Sequence, residues 1–114
     1  MKYLCLVYSD EHLLHSLPES PHDSECMAYA ESVQGSGRMV AAEALESVQT
    51  ATTVRMRNGK LSITDGPFAE TKEQLAGFYL IDARDLNEAI QVAGDIPAAR
   101  VGCVEVRPVR QLNP

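Results

Sequence analysis

The chain has 114 residues and a mass of 12.4 kDa, which suffices for one compact domain over residues 1–114 and is too little for two. Ten Lys and Arg against 16 Asp and Glu give a formal charge of −6, and the basic residues form no stripe. Because an acidic surface repels phosphate backbones and anionic lipids, we expect neither nucleic-acid nor membrane binding. Three cysteines without CxxC spacing and the absence of a long apolar run predict a cytoplasmic protein with no disulfide.

The first part of the chain predicts a strand, a loop and a helix. Residues 3–8 are apolar on both faces, which is typical of a strand in the middle of a sheet. After a polar loop, Ser20 and Pro21 suit the N-cap and the first position of a helix that Gly35 and Gly37 end. This helix carries an apolar stripe at helical spacing, made of Cys26, Met27, Ala30 and Val33.

The middle of the chain predicts a second strand and then a hairpin. Residues 38–45 indicate the strand. Polar and apolar residues alternate over 50–57, and Asn58-Gly59 is a strong signal for a tight turn because both residues tolerate a positive φ. A return strand follows and leads to residue 64.

The last part of the chain predicts a strand, a helix and a final strand. Residues 77–83 are apolar, Asp85 and Glu88 have the spacing of a capping box, and Gly94 stops the helix. Residues 103–109 form the last strand. The order β-α-β, hairpin, β-α-β predicts a ferredoxin-like α+β fold with the helices on one face of an antiparallel sheet.

The helix-free face of this sheet is expected to be partly apolar. Leu4 and Leu6 alternate with Cys5 and Val7, so apolar side chains point to both faces. A second copy of the chain is the simplest cover for such a face. We therefore expect a homodimer packed sheet to sheet.

A motif after the hairpin resembles the signature of a known family. The segments that carry it are DGPFAETKE at residues 65–73 and GFYLI at 77–81. The likeness continues through IPA at 96–98, Gly102 and VEVRPV at 104–109, and it covers nearly the whole chain. The sequence thereby resembles the DGPF-domain branch of the YCII-related family.

The resemblance implies a dimeric α/β barrel of ferredoxin-like halves and says little about chemistry. Most members are uncharacterised, and some genes of the family lie beside, or are fused to, extracytoplasmic-function sigma factors. A few YCII relatives are enzymes, including a dehydrochlorinase that acts on a chlorinated aromatic diol. In YCII proteins proper, the family pattern implies a catalytic dyad made of a His on the first helix and an Asp near the end of that helix. In this sequence Cys26 stands at the His position and Gly35 at the Asp position. His22, one turn earlier, is the one candidate replacement.

Asp65 is the first candidate functional residue, and two interpretations stay open. A turn favours Asp before Gly-Pro, with the carboxylate accepting hydrogen bonds from nearby N–H groups. Alternatively, the rigid turn holds a catalytic carboxylate at a pocket rim, with Glu70 and Lys72 binding a ligand or gripping a dimer partner.

The histidines and cysteines give weaker signals. His12 and His15 lie in an acidic loop but have no downstream partner cluster, so we expect no metal. His22 at a helix start is a candidate general acid–base, although capping is the simpler role. The cysteines are expected to be buried, and Cys26 near a helix N-terminus is the one where a thiolate is favoured.

Two functional hypotheses follow. The first is a small-molecule enzyme or binding protein that uses the cleft between the first helix and the sheet, with proton abstraction or elimination as the reaction. Asp65, His22 and Tyr8 would be its catalytic groups. Its ligand-binding residues would be Glu70, Lys72, Tyr79 and Arg38. No phosphate-cradling glycine loop is present, so we expect no organic cofactor. The second is a non-catalytic interaction protein that modulates a partner such as a sigma factor.

Overall fold

Six strands and two helices form from residues 1–113, the part of the chain that the computed structural model describes. The strands are β1 (Lys2–Ser9), β2 (Met39–Ala44), β3 (Thr52–Arg57), β4 (Lys60–Asp65), β5 (Gln74–Asp82) and β6 (Gly102–Pro108). The helices are α1 (Asp23–Gly35) and α2 (Leu86–Asp95). Single 3₁₀ turns lie at Val48–Thr50 and Pro97–Arg100.

Four strands make one antiparallel sheet in the order β2-β5-β1-β6, and β3 pairs only with β4. This mixed α+β arrangement agrees with the predicted class, and the strand order is compatible with a ferredoxin-like fold. The prediction that β1 lies in the middle of the sheet is confirmed, since it pairs with β5 on one side and β6 on the other.

The core lies between the sheet and the two helices. Tyr3, Cys5 and Val7 alternate along β1 towards the helices and are at most 5% exposed. The buried residues of α1, β5, α2 and the segments around them complete this cluster: Val33, Ile81, Ala83, Ala89, Val92, Ala93 and Ile96.

The opposite face of the sheet carries no helix and is partly apolar, as predicted. Leu4 pairs with Leu80 and Leu6 pairs with Phe78 across the β1–β5 ladder, and all four side chains are half-buried. We call these residues, with Tyr8, the open sheet face.

Helix α1 begins later than the sequence suggests. The predicted N-cap, Ser20, instead accepts a hydrogen bond from the N–H of Leu17 at 3.0 Å and so closes the preceding loop. His22 takes the N-cap position without a capping side-chain hydrogen bond. The hydroxyl of a Ser before a helix can accept a hydrogen bond from an N–H of the helix or from an N–H of the loop. Here it accepts one from the loop.

Helix α2 begins as predicted. The Asp85 carboxylate accepts a hydrogen bond from the N–H of Glu88 at 2.9 Å, which is the first half of a capping box. Glu88 completes it one residue earlier than the usual pattern, because its carboxylate accepts from the N–H of Arg84 at 3.2 Å. The helix runs one residue past Gly94 and ends at Asp95.

The β3–β4 hairpin, residues 52–65, is called the arm. Its predicted Asn58-Gly59 turn is confirmed by positive φ angles of 53° and 74°. Among the described residues, no other strand or helix packs on the arm beyond marginal contact. The radius of gyration of 15.8 Å exceeds the roughly 13 Å expected for a compact domain of this length, which fits a protruding hairpin.

The expectation that all three cysteines are buried holds for only one of them. Cys5 is buried and Cys26 half-buried, but Cys103 is exposed, because β6 is an edge strand and its side chain shares the open sheet face with Tyr8. All three cysteines are free thiols.

Within residues 1–113, neither helix has the length and apolar character to cross a membrane.

Candidate functional site

A cavity of about 740 Å³ lies between the first half of α1 and strands β2 and β5. We call it the helix cleft. An apolar helix stripe normally packs into the core, yet in α1 only Val33 is buried. The other stripe residues, Cys26, Met27 and Ala30, line the cleft. The apolar face of α1 is thus left open to a ligand over its first half.

The inner wall of the helix cleft holds one free hydrogen-bonding side chain of note, Tyr79. It extends from β5 on the same face as Cys5 and is half-buried. Within residues 1–113 no hydrogen-bond partner reaches its hydroxyl. Burial raises the pKa of Tyr79, so the hydroxyl stays protonated at neutral pH and can donate a hydrogen bond to a ligand.

Cys26 lines the same cleft but is not an activated thiolate. Burial raises the pKa of its thiol, and the nearby carboxylates of Asp23 and Glu25 raise it further. The expected effect of the helix N-terminus is therefore outweighed by desolvation and by negative neighbours. Cys26 contributes a neutral, polarisable surface to the wall.

The rim of the helix cleft is acidic. Asp23 and Glu46 are exposed there, with His15 on the loop side. Among the described residues that line the cleft, none is Lys or Arg. Such a rim repels anions and attracts cations, so it favours a neutral or positively charged ligand.

The loop over residues 10–22 forms one wall of the helix cleft and is fastened at both ends. At its start the Glu11 carboxylate accepts hydrogen bonds from the Ser47 hydroxyl at 2.9 Å and the Val48 N–H at 2.7 Å. At its end Arg100 donates two hydrogen bonds to the Glu25 carboxylate, at 2.6 and 2.8 Å. Arg100 also donates to the carbonyl of Glu19 at 3.2 Å. The loop is thus held to both the β2–β3 connection and α1.

A second cavity of about 490 Å³ adjoins the first and is called the loop cleft. Both cavities share Leu45, Glu46 and Ser47 in their walls. Tyr8, Pro67 and Phe68 line the loop cleft, and Phe68 is 78% exposed. The Arg55 guanidinium lies 5.6 Å from the centre of the Phe68 ring and so links this segment to the arm.

The structure does not gather the three predicted catalytic residues. Tyr8 lines the loop cleft, whereas His22 precedes α1 and Asp65 ends β4, and neither of these two lines a cavity. No described cavity contains two of the three. Their catalytic roles stay predictions without a shared site.

The predicted ligand-binding residues are also dispersed. Tyr79 lies in the helix cleft, as described above. Glu70 and Lys72 are exposed and line neither cavity. Arg38 faces α2, where its guanidinium lies 3.8 Å from the Glu88 carboxylate.

The expected hydrogen bonds to Asp65 are absent within the described residues, so the capping role predicted for it is wrong. The turn is instead held through its neighbour Gly66, which has a φ of 105°. The Gly66 N–H donates to the carbonyl of Ala51 at 2.7 Å, and the Thr53 hydroxyl donates to the carbonyl of Gly66 at 2.8 Å. The carboxylate of Asp65 points to solvent because backbone groups already fasten the arm at its base.

Sequence reasoning missed two residues that shape the helix cleft, Glu11 and Arg100. Their partners are 36 or more positions away along the chain, so no local spacing could reveal them. Within residues 1–113, no three or more His, Cys, Asp or Glu side chains lie together in a group that could hold a metal ion.

Comparison with known proteins places the chain in a family. A family model described as the YCII-related domain matches residues 1–113. An uncharacterized protein of Rhizobium meliloti (strain 1021) is 38% identical to the chain, over 100% of this chain and 96% of the relative. The chain therefore belongs to the YCII-related family.

Proposed function

We propose that this YCII-related protein binds a small, mainly apolar molecule with a neutral or positively charged polar group in the helix cleft. The hydroxyl of Tyr79 donates a hydrogen bond to a neutral polar group, or its oxygen accepts one from a cationic N–H group. The single observation that carries the proposal is this half-buried, unpartnered hydroxyl on the wall of an otherwise apolar cavity.

The size and lining of the cavity support a small-molecule ligand. Ligand pockets usually measure about 300–1,000 Å³ and combine apolar walls with a few placed polar groups. The helix cleft, at about 740 Å³, falls in this range. Val7, Ile96 and the stripe of α1 supply apolar walls, and Tyr79 supplies the polar group.

The charge of the rim supports selectivity against anions. Asp23 and Glu46 form no ion pair within the described residues and lie at the mouth of the helix cleft. An anionic ligand would meet their field before it reached Tyr79.

Binding is the activity that the geometry supports, and a reaction is a further step. Proton abstraction needs a base within hydrogen-bond reach of the ligand. The carboxylates of Asp23 and Glu46 and the imidazole of His15 are the rim groups that could take a proton, whereas the inner wall with Tyr79 and Cys26 holds no base. An elimination reaction would therefore take place at the mouth of the cleft.

A matched set of probes tests the proposal. Benzylamine, benzyl alcohol and benzoate share a ring and differ in charge, and their binding can be followed by ligand-observed and protein-observed NMR. We expect the amine and the alcohol to shift resonances of α1 and β5, and benzoate to bind more weakly.

The matched variants are Tyr79→Phe and Tyr8→Phe. Loss of one neutral hydrogen bond costs about 1 kcal/mol, so Tyr79→Phe should weaken the alcohol about fivefold. Tyr8→Phe removes the same hydroxyl from the other cavity and should change nothing. Equal binding by Tyr79→Phe, or preference for benzoate, would refute the proposal.

A regulatory role is the second candidate, and the exposed arm favours it. An unpartnered apolar hairpin can dock on another protein as well as on a copy of itself. Co-purification with an extracytoplasmic-function sigma factor from the same organism, lost on truncation of the arm, would favour this role.

A further inference from the structure

The loop cleft combines two aromatic rings with apolar side chains. Tyr8, near the end of β1, and Phe68, in the segment after the arm, both line it. Tyr8 is half-buried and Phe68 is 78% exposed, so both rings are accessible. Leu45, Val48 and Leu75 supply apolar parts of the wall. At about 490 Å³, the cavity falls within the usual size range of ligand pockets.

The two rings favour a positively charged ligand. The face of an aromatic ring attracts cations, and alkylated ammonium groups are bound in proteins by aromatic side chains. One such contact is already present, since the Arg55 guanidinium lies 5.6 Å from the centre of the Phe68 ring. Arg55 belongs to the arm and does not line the cleft. The second face of Phe68 and the ring of Tyr8 are thus the surfaces that remain for a ligand.

Two carboxylates at the loop cleft favour the same charge. Glu46 and Glu73 line the cavity, both are exposed, and neither forms an ion pair within the described residues. None of the described residues that line the cavity is Lys or Arg. The positive charges beside it are Arg55, at the Phe68 ring, and Lys72, which precedes Glu73 in the chain. Unpaired carboxylates at the wall of a cleft raise the local concentration of cations.

A neighbouring thiol shows on which side of the sheet the Glu73 carboxylate acts. Cys103 pairs with Tyr8 across the β1–β6 ladder, so the two side chains share a face. Desolvation raises the pKa of the Cys103 thiol, and the carboxylates of Glu73 and Glu105 raise it further. The negative charge of Glu73 therefore reaches the face that carries Tyr8.

Hydrogen bonds fix the backbone on two sides of the loop cleft. The N–H of Leu45 donates to the carbonyl of Ala76 at 2.8 Å. The side-chain amide of Gln74 donates to the carbonyl of Thr71 at 2.6 Å, and the Thr71 hydroxyl donates to the carbonyl of Glu73. The residues next to the two carboxylates are thus ordered before a ligand binds, which reduces the entropy lost on binding.

We propose that the loop cleft binds a small organic cation. An alkylated ammonium group lies against the rings of Tyr8 and Phe68, and the carboxylates of Glu46 and Glu73 balance its charge. The apolar wall contacts the alkyl groups, which distinguishes this ligand from a hydrated inorganic ion. Within residues 1–113 no group of His, Cys, Asp and Glu side chains could hold a metal. The proposal does not depend on a ligand in the helix cleft.

Choline and its uncharged carbon isostere, dimethylbutanol, test the charge requirement in the full chain. The two probes have nearly the same shape, and only choline carries a positive charge. In protein-observed NMR titrations we expect choline to shift resonances of Tyr8 and residues 67–75, and dimethylbutanol to bind several-fold more weakly. Since salt screens exposed carboxylates, added sodium chloride should weaken the binding of choline and leave that of the alcohol unchanged.

Variants of the two rings test the aromatic contact. Tyr8→Phe keeps the ring and should bind choline as the wild type does, whereas Tyr8→Leu should weaken binding about two- to fivefold. Phe68→Leu changes an exposed side chain and gives the same test should Tyr8→Leu fail to give the wild-type circular dichroism spectrum.

Variants of the carboxylates test whether the cation is bound at this cleft. Glu46→Gln and Glu73→Gln should each weaken the binding of choline several-fold. The control is Glu70→Gln, which removes an exposed carboxylate that lines neither cavity and should leave binding unchanged.

Four results would overturn the proposal. Absence of choline-induced shifts, or equal binding of choline and dimethylbutanol, would show that no cation is recognised. Equal weakening by Glu70→Gln and Glu73→Gln would show only a diffuse attraction of cations to an acidic protein. Choline shifts in α1 that are lost in Tyr79→Phe would place the cation in the helix cleft. None of these results changes the expected binding of benzyl alcohol, so the two proposals fail separately.

Discussion

Two tyrosines illustrate how little residue type alone decides. The rings of Tyr29 and Tyr79 lie 6.1 Å apart, and both are half-buried. The Tyr29 hydroxyl donates to the carbonyl of Val92 at 2.7 Å and so ties α1 to α2. Tyr79 has no such acceptor among the described residues and remains free for a ligand. Only the fold shows which of the two hydroxyls is already bonded.

At the base of the arm, Thr53 rather than Asp65 should matter. Thr53→Val removes the hydrogen bond to the Gly66 carbonyl, and a net loss of about 1 kcal/mol in local stability is expected. Amide hydrogen exchange in the arm should accelerate accordingly. Asp65→Ala removes no partner and should change stability by less than about 0.5 kcal/mol. Faster exchange in Asp65→Ala than in Thr53→Val would contradict this assignment.

Alkaline pH should destabilise the fold through buried acids. Burial raises the pKa of Tyr29 to about 12, from an ordinary 10.0, and the pKa of Cys5 to about 11, from 9.0. The folded state therefore keeps protons that the unfolded state has lost, and stability falls as pH rises above about 9 towards 12. Denaturant midpoints measured from pH 8 upwards should decline.

The matched variant for this pH dependence is Tyr29→Phe. It removes one of the groups whose pKa is raised, and its denaturant midpoint should be lower at pH 8 because the bond to Val92 is lost. Above pH 10 the denaturant midpoint of Tyr29→Phe should decline less steeply with pH than the midpoint of the wild type. An identical slope in both proteins would show that Tyr29 does not contribute to the effect.

At the scale of elements, turns and helix caps were predictable from the sequence where no other group competes for the same hydrogen bond. Asn58 and Gly59 form the expected turn because positive φ at both positions suits few other residues. Asp85 caps α2 because no other donor claims its carboxylate. Helix α1 begins two residues later than predicted, at Asp23, because the Ser20 hydroxyl bonds within the loop.

Gly102 is required by packing between β6 and β1. Its Cβ would collide with the carbonyl oxygen of Tyr8 and lie 3.2 Å from Ser9, both on the neighbouring strand. Backbone cannot yield as a flexible side chain can, so Gly102→Ala should cost about 1–3 kcal/mol. Denaturant unfolding measures the loss. Gly35→Ala is the control, since a Cβ there meets nothing within 4 Å.

The loop wall of the helix cleft should loosen when Arg100 is replaced. Lysine keeps the charge but cannot form the two-pronged contact with Glu25 or reach Glu19 as well. Hydrogen exchange in residues 17–26 should therefore accelerate in Arg100→Lys, while exchange in the arm stays unchanged. Equal acceleration in both regions would indicate general destabilisation instead.

Low pH should also accelerate hydrogen exchange in residues 17–26 of the wild type. The hydrogen bonds and charge of Arg100 lower the pKa of Glu25 below its ordinary 4.5. The stabilising contribution is thus complete above pH 4.5 and is lost as pH falls through the lowered pKa. Exchange in residues 17–26 should rise with acidification in the wild type and change less in Arg100→Lys.

At the scale of the molecule, the fold class was predictable and the site only in part. Periodicity and turn signals are local, and they gave the order of strands and helices. The helix cleft draws on β1, a loop, α1, β2 and β5, so its shape depends on distances between elements that no spacing encodes. The apolar stripe of α1 was visible, but not that its first half stands away from the core.

The arm should be separable from the body of the chain. Gly66 bonds to Ala51 at the base, so the chain enters and leaves the arm at adjacent points. Deleting residues 54–57 and 60–63 joins Thr53 to Thr64 through the native Asn58-Gly59 turn and preserves the register, because an even number of residues leaves each strand. The shortened chain should keep a cooperative melt and the core of the body, since the core cluster includes no residue of the arm.

The shortened chain also separates the proposed binding in the helix cleft from the homodimer expected from the sequence. If arms join the copies, it should sediment as a monomer where the wild type is a dimer. If the helix cleft acts within one chain, benzyl alcohol should bind both proteins equally, because no arm residue lines that cleft. Loss of alcohol binding on shortening would mean that the cleft needs the arm of a second copy, and a persistent dimer would mean that the open sheet faces associate without arms.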